Sequence, residues 1–163
     1  MEFNEVFAEI NEKFGDNVTI VVFGYDGSED MPELMQGLIY EYCKPVNMIH
    51  YFKQLKSLNL DCILIPLIND RFNITSENYN KYLEASAFKI PVVVTDIYPY
   101  NTIIQDGRNG FLFKEKHDLI GVITYLLTNR HMINVIGANA HKDLIETFDY
   151  TEENIDMIND VYN

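Results

Sequence analysis

Basic residues are scarce in this 163-residue chain: 12 Lys and Arg stand against 25 Asp and Glu, for a formal net charge of −13. Affinity for a nucleic-acid backbone comes from Lys and Arg displacing counterions, so the shortage argues against DNA and RNA as partners. It argues equally against an anionic membrane surface. Cysteine is nearly absent. Cys43 and Cys62 are the two thiols, neither in CxxC nor metal-ligand spacing, and both read as buried free thiols. The sequence opens without a basic segment leading into an apolar one. No apolar run approaches the roughly 18 to 20 residues of a membrane span. A cytoplasmic location without a membrane span is the expectation.

Several catalytic signatures are missing too. Gly24-Tyr25-Asp26-Gly27 lacks the spacing of a dinucleotide fingerprint, and no G-x-S-x-G elbow is present. His50, His117, His131 and His141 form no HExxH or other ligand cluster, so they read as solvated or helix-surface residues, and neither a metal nor another cofactor is expected. Asn17-Val18-Thr19 and Asn73-Ile74-Thr75 read as chance sequons. With 47% hydrophobic residues, a length near the modal domain size and no linker or repeat, residues 1–163 are expected to form a single domain.

What is present is an alternation of helix and strand patterns. Phe3, Val6, Phe7, Ile10 and Phe14 trace an amphipathic helix closed by Gly15, and Val18 to Phe23 is a β-branched strand run. Asp26-Gly27-Ser28 is turn chemistry, Met31 to Gly37 suits a short helix, and Leu38 to Tyr42 a second strand. Pro45 fits a first helical turn, followed by Ile49, Phe52 and Leu55 at helical spacing. Cys62 to Leu67 is a continuous apolar run, as in a parallel strand covered on both faces, with Pro66 marking its carboxyl end. Ser76 caps a helix reaching about Phe88, Pro91 to Thr95 is the next strand, and Gly110 to Phe113 the last. Asp106-Gly107 and Asn109-Gly110 frame the turn before it. Helices then run from Asp118 to Leu127, from Arg130 to Phe148, and in a tail at about 151–161. That tail continues an acidic stretch of seven acids between Asp143 and Asp160, read as a solvated helical face. The fold class is therefore α/β: a three-layer, doubly wound parallel sheet of about five strands in order 2-1-3-4-5, with C-terminal helices. Its ligand crevice lies outside the carboxyl ends of the strands, lined by the loops after Phe23, Leu67 and Thr95.

The segment from Pro66 to Asp96 carries the candidate chemistry. A helix opening there presents first-turn N–H groups at Glu77, Asn78 and Tyr79, which with the helix dipole suit a phosphate or diphosphate. Glu84, two turns on, is a carboxylate able to accept from paired ribose hydroxyls, and Lys81 either offsets phosphate charge or pairs with Glu84 at i, i+3. A plainer reading fits equally: Ser76 an N-cap, Glu84 and Lys81 solvated charges. Asp96, beside Tyr98-Pro99-Tyr100, either lines the pocket or forms a turn.

At this segment the sequence resembles a known family. The strings Asp61-Cys-Ile-Leu-Ile-Pro-Leu67, Phe72-Asn73, Lys81-Tyr-Leu-Glu-Ala85, Ile90-Pro-Val-Val-Val-Thr-Asp96 and Ile104-Gln-Asp-Gly-Arg-Asn-Gly-Phe-Leu112 occur in this order over about 50 residues. Together they resemble the carboxyl-terminal, nucleotide-sugar-binding domain of GT-B retaining glycosyltransferases, the glycosyl transferases group 1 type of family 4. The resemblance runs from about Phe7 to Phe148. It implies a Rossmann-like half of a GT-B enzyme that transfers sugar from a UDP- or GDP-sugar, in bacterial surface glycan synthesis. Glu84 matches the second glutamate of the family's pair, on the ribose hydroxyls. Ser76 stands where the first glutamate, on the transferred sugar, is expected, as in a subgroup with a Phe-Asn, Ser and Lys-x-x-Glu pattern.

The donor ligands implied are Asn78, Tyr79, Asn80, Lys81, Glu84 and Asp96, with Glu84 and Ser76 in the catalytic positions. No counterpart of the family's basic phosphate pair follows a first strand, which leaves Lys81 as the basic residue placed to help. The first helix matches the one after that missing strand. A chain with only this half is expected to lack the N-terminal acceptor domain, to be inactive alone, and to have a sheet edge open to self-association. The competing class is a non-catalytic α/β nucleotide-binding or interaction module.

Overall fold

A computed structural model describes residues 3–24, 40–68, 71 and 78–148. The chain divides into two compact units, Met1–Tyr51 and Phe52–Asn163.

In the first unit, α1 (Phe3–Phe14) forms where the apolar stripe predicts it, with Val6 and Ile10 fully buried. Gly15 stops it by taking a φ of +48°, a conformation that costs glycine nothing. A short 3-10 turn, Gly15–Asn17, leads into β1 (Ile20–Phe23), which pairs in parallel with β2 (Tyr40–Cys43) from Ile20 opposite Tyr40 to Phe23 opposite Cys43. Both strands start two residues later than the apolar runs suggested. The expected turn at 26–28 and short helix at 31–37 lie outside the described residues.

The division between the units falls within α2 (Met48–Ser57). Pro45 precedes this helix instead of opening it. Asn47 sets the start, its Oδ1 accepting the His50 N–H at 3.1 Å and the His50 Nδ1–H at 2.6 Å, as an N-cap side chain does. Of the three apolar residues expected on one buried face, Leu55 is buried while Ile49 is 59% exposed.

The second unit is built on a parallel sheet in the order β3 (Ile63–Ile65), β4 (Val92–Thr95), β5 (Phe111–Phe113). Ile63 lies opposite Val92, and Val93 opposite Phe111. Adjacent residues of a strand face opposite sides of its sheet, yet Val92, Val93 and Val94 are all at most 1% exposed. The sheet is therefore covered on both faces, as its uninterrupted valine run requires. Between β3 and β4 comes α3 (Asn80–Ala87), which packs on α6 (His131–Phe148), and α5 (Lys116–Thr128) packs on β5. A four-residue helix, α4 (Tyr100–Ile103), follows β4 and was not foreseen from the pattern. Ile65, Tyr82, Ala85, Ile90, Val94, Tyr100 and Ile104 meet in the core under this layer. The strand pairings 1–2, 3–4 and 4–5 of the expected order are all present; the expected tail helix at 151–161 lies outside the described residues.

Candidate functional site

Parallel pairing of β3 with β4 fixes where α3 begins. The chain leaves the carboxyl end of β3 and must return to the amino end of β4, so α3 runs antiparallel to both, with its N-terminus on the carboxyl side of the sheet. The two strand ends are tied there by the Leu67 N–H donating to Thr95 Oγ1 at 2.9 Å.

The helix opens at Asn80, later than the sequence suggested. Asn78 and Tyr79 precede it, and the Asn78 side chain accepts the Asn80 N–H at 2.9 Å in a short local turn. Tyr79 occupies the cap position without a side-chain cap; its carbonyl accepts from the amides of Tyr82 at 2.9 Å and Leu83 at 3.3 Å. Among the described residues the first-turn donors thus belong to Asn80 and Lys81 instead of Asn78 and Tyr79. An anion reaching the Asn80 amide must displace the Asn78 side chain. Ser76 and Glu77 lie outside the described residues.

Lys81 and Glu84 leave the same side of α3, and Lys81 Nζ meets Glu84 Oε2 at 2.7 Å. Lys81 is half exposed and Glu84 mostly covered, 51% against 22% at the side chain. Of the two roles open to Lys81, the pair with Glu84 is the one present. Tyr100, at the start of α4, lies close enough to both charges to feel them. Burial raises its phenol above the ordinary value, with Lys81 pulling it down and Glu84 pushing it up. Tyr82 and Ala85 of α3 share one core cluster with Tyr100, so α3 itself packs beside the element that follows the carboxyl end of β4. Asp96, one residue beyond that strand, donates its N–H to the Phe113 carbonyl at 2.8 Å, and its carboxylate meets Lys114 Nζ at 3.3 Å. Lys114 is a second cation at the strand ends, which sequence reasoning missed. Its position directly after the predicted last strand, as Asp96 directly follows the neighbouring strand that ends at Thr95, was the signal that could have found it.

His141 is not solvated, as expected from its lack of a ligand cluster, but donates Nδ1–H to the Ser86 carbonyl at 3.0 Å. His117 stands exposed between Glu115 and Asp118. Cys43 is buried and Cys62 partly so, and neither is in a disulfide. Among the described residues, no three of His, Cys, Asp and Glu converge as metal ligands, and no single helix is long and apolar enough to cross a membrane.

A parallel sheet wrapped by helices, with a helix opening at its carboxyl edge, is the architecture of a Rossmann-like α/β domain. Solved structures agree on the fold. The C-terminal domain of a glycosyl transferase group 1 family protein (LpcC) from Francisella tularensis superimposes with a TM-score of 0.65 at 22% identity, covering 90% of this chain and 76% of that one. TarM matches with a TM-score of 0.67 at 20% identity over 98% of this chain and 31% of its own, and Anabaena HepE in complex with UDP-glucose with 0.65 at 18% identity, over 97% and 43%. The sequence profile of the glycosyl transferases group 1 family matches residues 2–143, and the chain belongs to that family. A curated relative, the alpha-monoglucosyldiacylglycerol synthase of Acholeplasma laidlawii, is 26% identical over 72 residues, which are 44% of this chain and 17% of that protein. The matched segment thus spans less than a fifth of the relative's length.

Proposed function

We propose that this domain holds the nucleotide-sugar donor of a retaining glycosyltransferase, a UDP- or GDP-sugar, for transfer to an acceptor carried by a partner domain in bacterial surface glycan synthesis. The observation that carries this reading is the Lys81–Glu84 pair in the first half of α3, the helix that opens at the carboxyl edge of the sheet. Open α/β sheets bind ligands in this place. Binding of UDP-glucose by the structural neighbour HepE supports the donor class.

Glu84 accepts the two ribose hydroxyls, each oxygen taking one hydrogen bond. The amides of Asn80 and Lys81 at the start of α3 receive the diphosphate once the Asn78 side chain leaves the Asn80 N–H, with the helix dipole behind them. Lys81 reaches toward the same phosphates while remaining in contact with Glu84, and Asp96, paired with Lys114, borders the sugar side. Ser76 takes the place of the family's first glutamate toward the transferred sugar. No metal or other cofactor is required by this arrangement, since the leaving diphosphate is met by backbone donors and a lysine. Turnover needs the acceptor held in line with the donor, a task for the second domain.

Calorimetric or NMR titration with UDP, GDP and their sugar conjugates is expected to show saturable binding of at least one of them below millimolar concentration. Glu84→Ala should weaken it by about 1.5–3 kcal/mol, the range for hydrogen bonds to a charged group. No response from any of these ligands would sink the donor reading, and an unchanged affinity in the variant would remove Glu84 from the site.

A further inference from the structure

The inward side of α3 carries polar contacts that donor binding does not itself use. Tyr82 and Ser86, one helical turn apart, are both buried, at 1% and 0% exposure. The Tyr82 hydroxyl accepts from Asn109 Nδ2 at 3.2 Å, and the Ser86 carbonyl accepts from His141 at 3.0 Å. Asn109 is itself 1% exposed and gripped on every side. Its Oδ1 accepts the Gln105 N–H at 2.7 Å, while the two hydrogens of Nδ2 are shared among the Tyr82 hydroxyl, the Ile103 carbonyl at 3.1 Å and Asp143 Oδ2 at 2.6 Å. The Arg108 guanidinium closes on the same carboxylate oxygen of Asp143. One amide side chain thus joins α3, the turn before β5, and α6.

Geometry gives this junction a consequence at the outer face. Residues four apart share one side of a helix, whereas Lys81 and Glu84 are displaced from Tyr82 by about 100° and 200° of helical rotation. Apolar packing is non-directional and would tolerate a small roll of α3 about its axis. Hydrogen bonds weaken steeply when bent, so a polar contact at Tyr82 and another at Ser86 fix the roll and with it the direction in which Glu84 leaves the helix.

We propose that Asn109, held by Asp143, is a positioning residue for nucleotide binding: it sets the rotation of α3 through the Tyr82 hydroxyl and so aims Glu84 at the ribose. The proposal rests on the donor role argued above. It predicts that the effect of Asn109 on affinity is transmitted through Glu84, and a double-mutant cycle measures that dependence.

The full chain would be titrated calorimetrically with UDP and with GDP in four forms: unaltered, Asn109→Ala, Glu84→Ala and the double variant. The cycle would be repeated with Tyr82→Phe in place of Asn109→Ala, because phenylalanine keeps the core filled should the alanine variant fail to fold. With Glu84 present, either substitution should weaken nucleotide binding about five-fold, the scale of one lost hydrogen bond. With Glu84 already removed, the same substitution should change affinity by less than about two-fold. Equal losses in both backgrounds indicate general loosening of the domain and overturn the proposal, as does unchanged affinity in both single variants. A separate failure, no nucleotide binding by the unaltered chain or no effect of Glu84→Ala, overturns the donor role and this proposal with it.

Discussion

Tyr82 and Glu84 stand two positions apart yet answer to different environments. Burial, reinforced by Asp143, pushes the Tyr82 phenol up to about 12 from an ordinary 10.0. Because the folded value lies above the unfolded one, the stabilisation is complete below pH 10 and is lost as pH rises toward 12. Ultraviolet titration should therefore count one fewer late-ionising phenol in Tyr82→Phe than in the unaltered protein; an equal count would place the hydroxyl outside this cluster. Burial also pushes the Cys62 thiol up to about 11, with Asp61 adding to the rise. At pH 8 this thiol should react with disulfide reagents at least about ten-fold more slowly than in the urea-unfolded chain, since the thiolate is the nucleophile. Lys81 and Glu84 were legible in the sequence because their spacing is local and their order matches a family string. The partners of Asn109 were not. Tyr82 and Asp143 lie 27 and 34 positions away from it, and nothing in a local window connects residues so far apart.

At the scale of elements, continuous apolar runs located β1, β3, β4 and β5, most clearly β4, whose valines are buried on both faces, whereas β2 was the weaker signal because Glu41 interrupts it. Helix starts were less legible because the chain offers competing caps. Ser76 and Asn78 are both good N-cap types, and the described helix opens after Asn78; likewise Asn47 took precedence over Pro45. The four residues of α4 are too few to show a helical period. Two element-level predictions follow from contacts. A Cβ on Gly137 would overlap the Lys89 carbonyl, where α6 crosses the turn after α3, and Lys89 is already strained at a φ of +59°. Gly137→Ala should lower the urea-unfolding free energy by about 1–3 kcal/mol, the usual cost of overpacking. At the start of α5, Asp118 accepts the N–H groups of Glu115 at 3.0 Å and Lys114 at 3.1 Å, and these bonds, that of Glu115 foremost, hold its carboxyl below the ordinary 3.8. A depressed value stabilises above pH 3.8 and ceases to do so as pH falls through it. Asp118→Asn should accordingly flatten the acid limb of the stability profile, read by unfolding midpoints between about pH 2 and 5.

For the whole molecule, the net charge of −13 opposes any anionic ligand at long range, while Lys81 and Lys114 act only nearby. Added salt screens the distant repulsion first, because its reach exceeds that of a contact pair. UDP affinity is expected to hold steady or rise between about 20 and 150 mM salt, the reverse of an ordinary basic phosphate site. A fall with salt would show that the local cations dominate. Loop length in the sheet of the second unit gives a slight, roughly two-fold, preference among its strand pairings. Pairing Ile63 with Val92 closes a longer stretch of chain than pairing Val93 with Phe111, at an entropic difference of about 0.4 kcal/mol. The later pairing is the easier to form, and the turn that closes it contains Asn109. The turn holding Asn109 thus helps bring β4 and β5 together first, with β3 adding to an edge already in place.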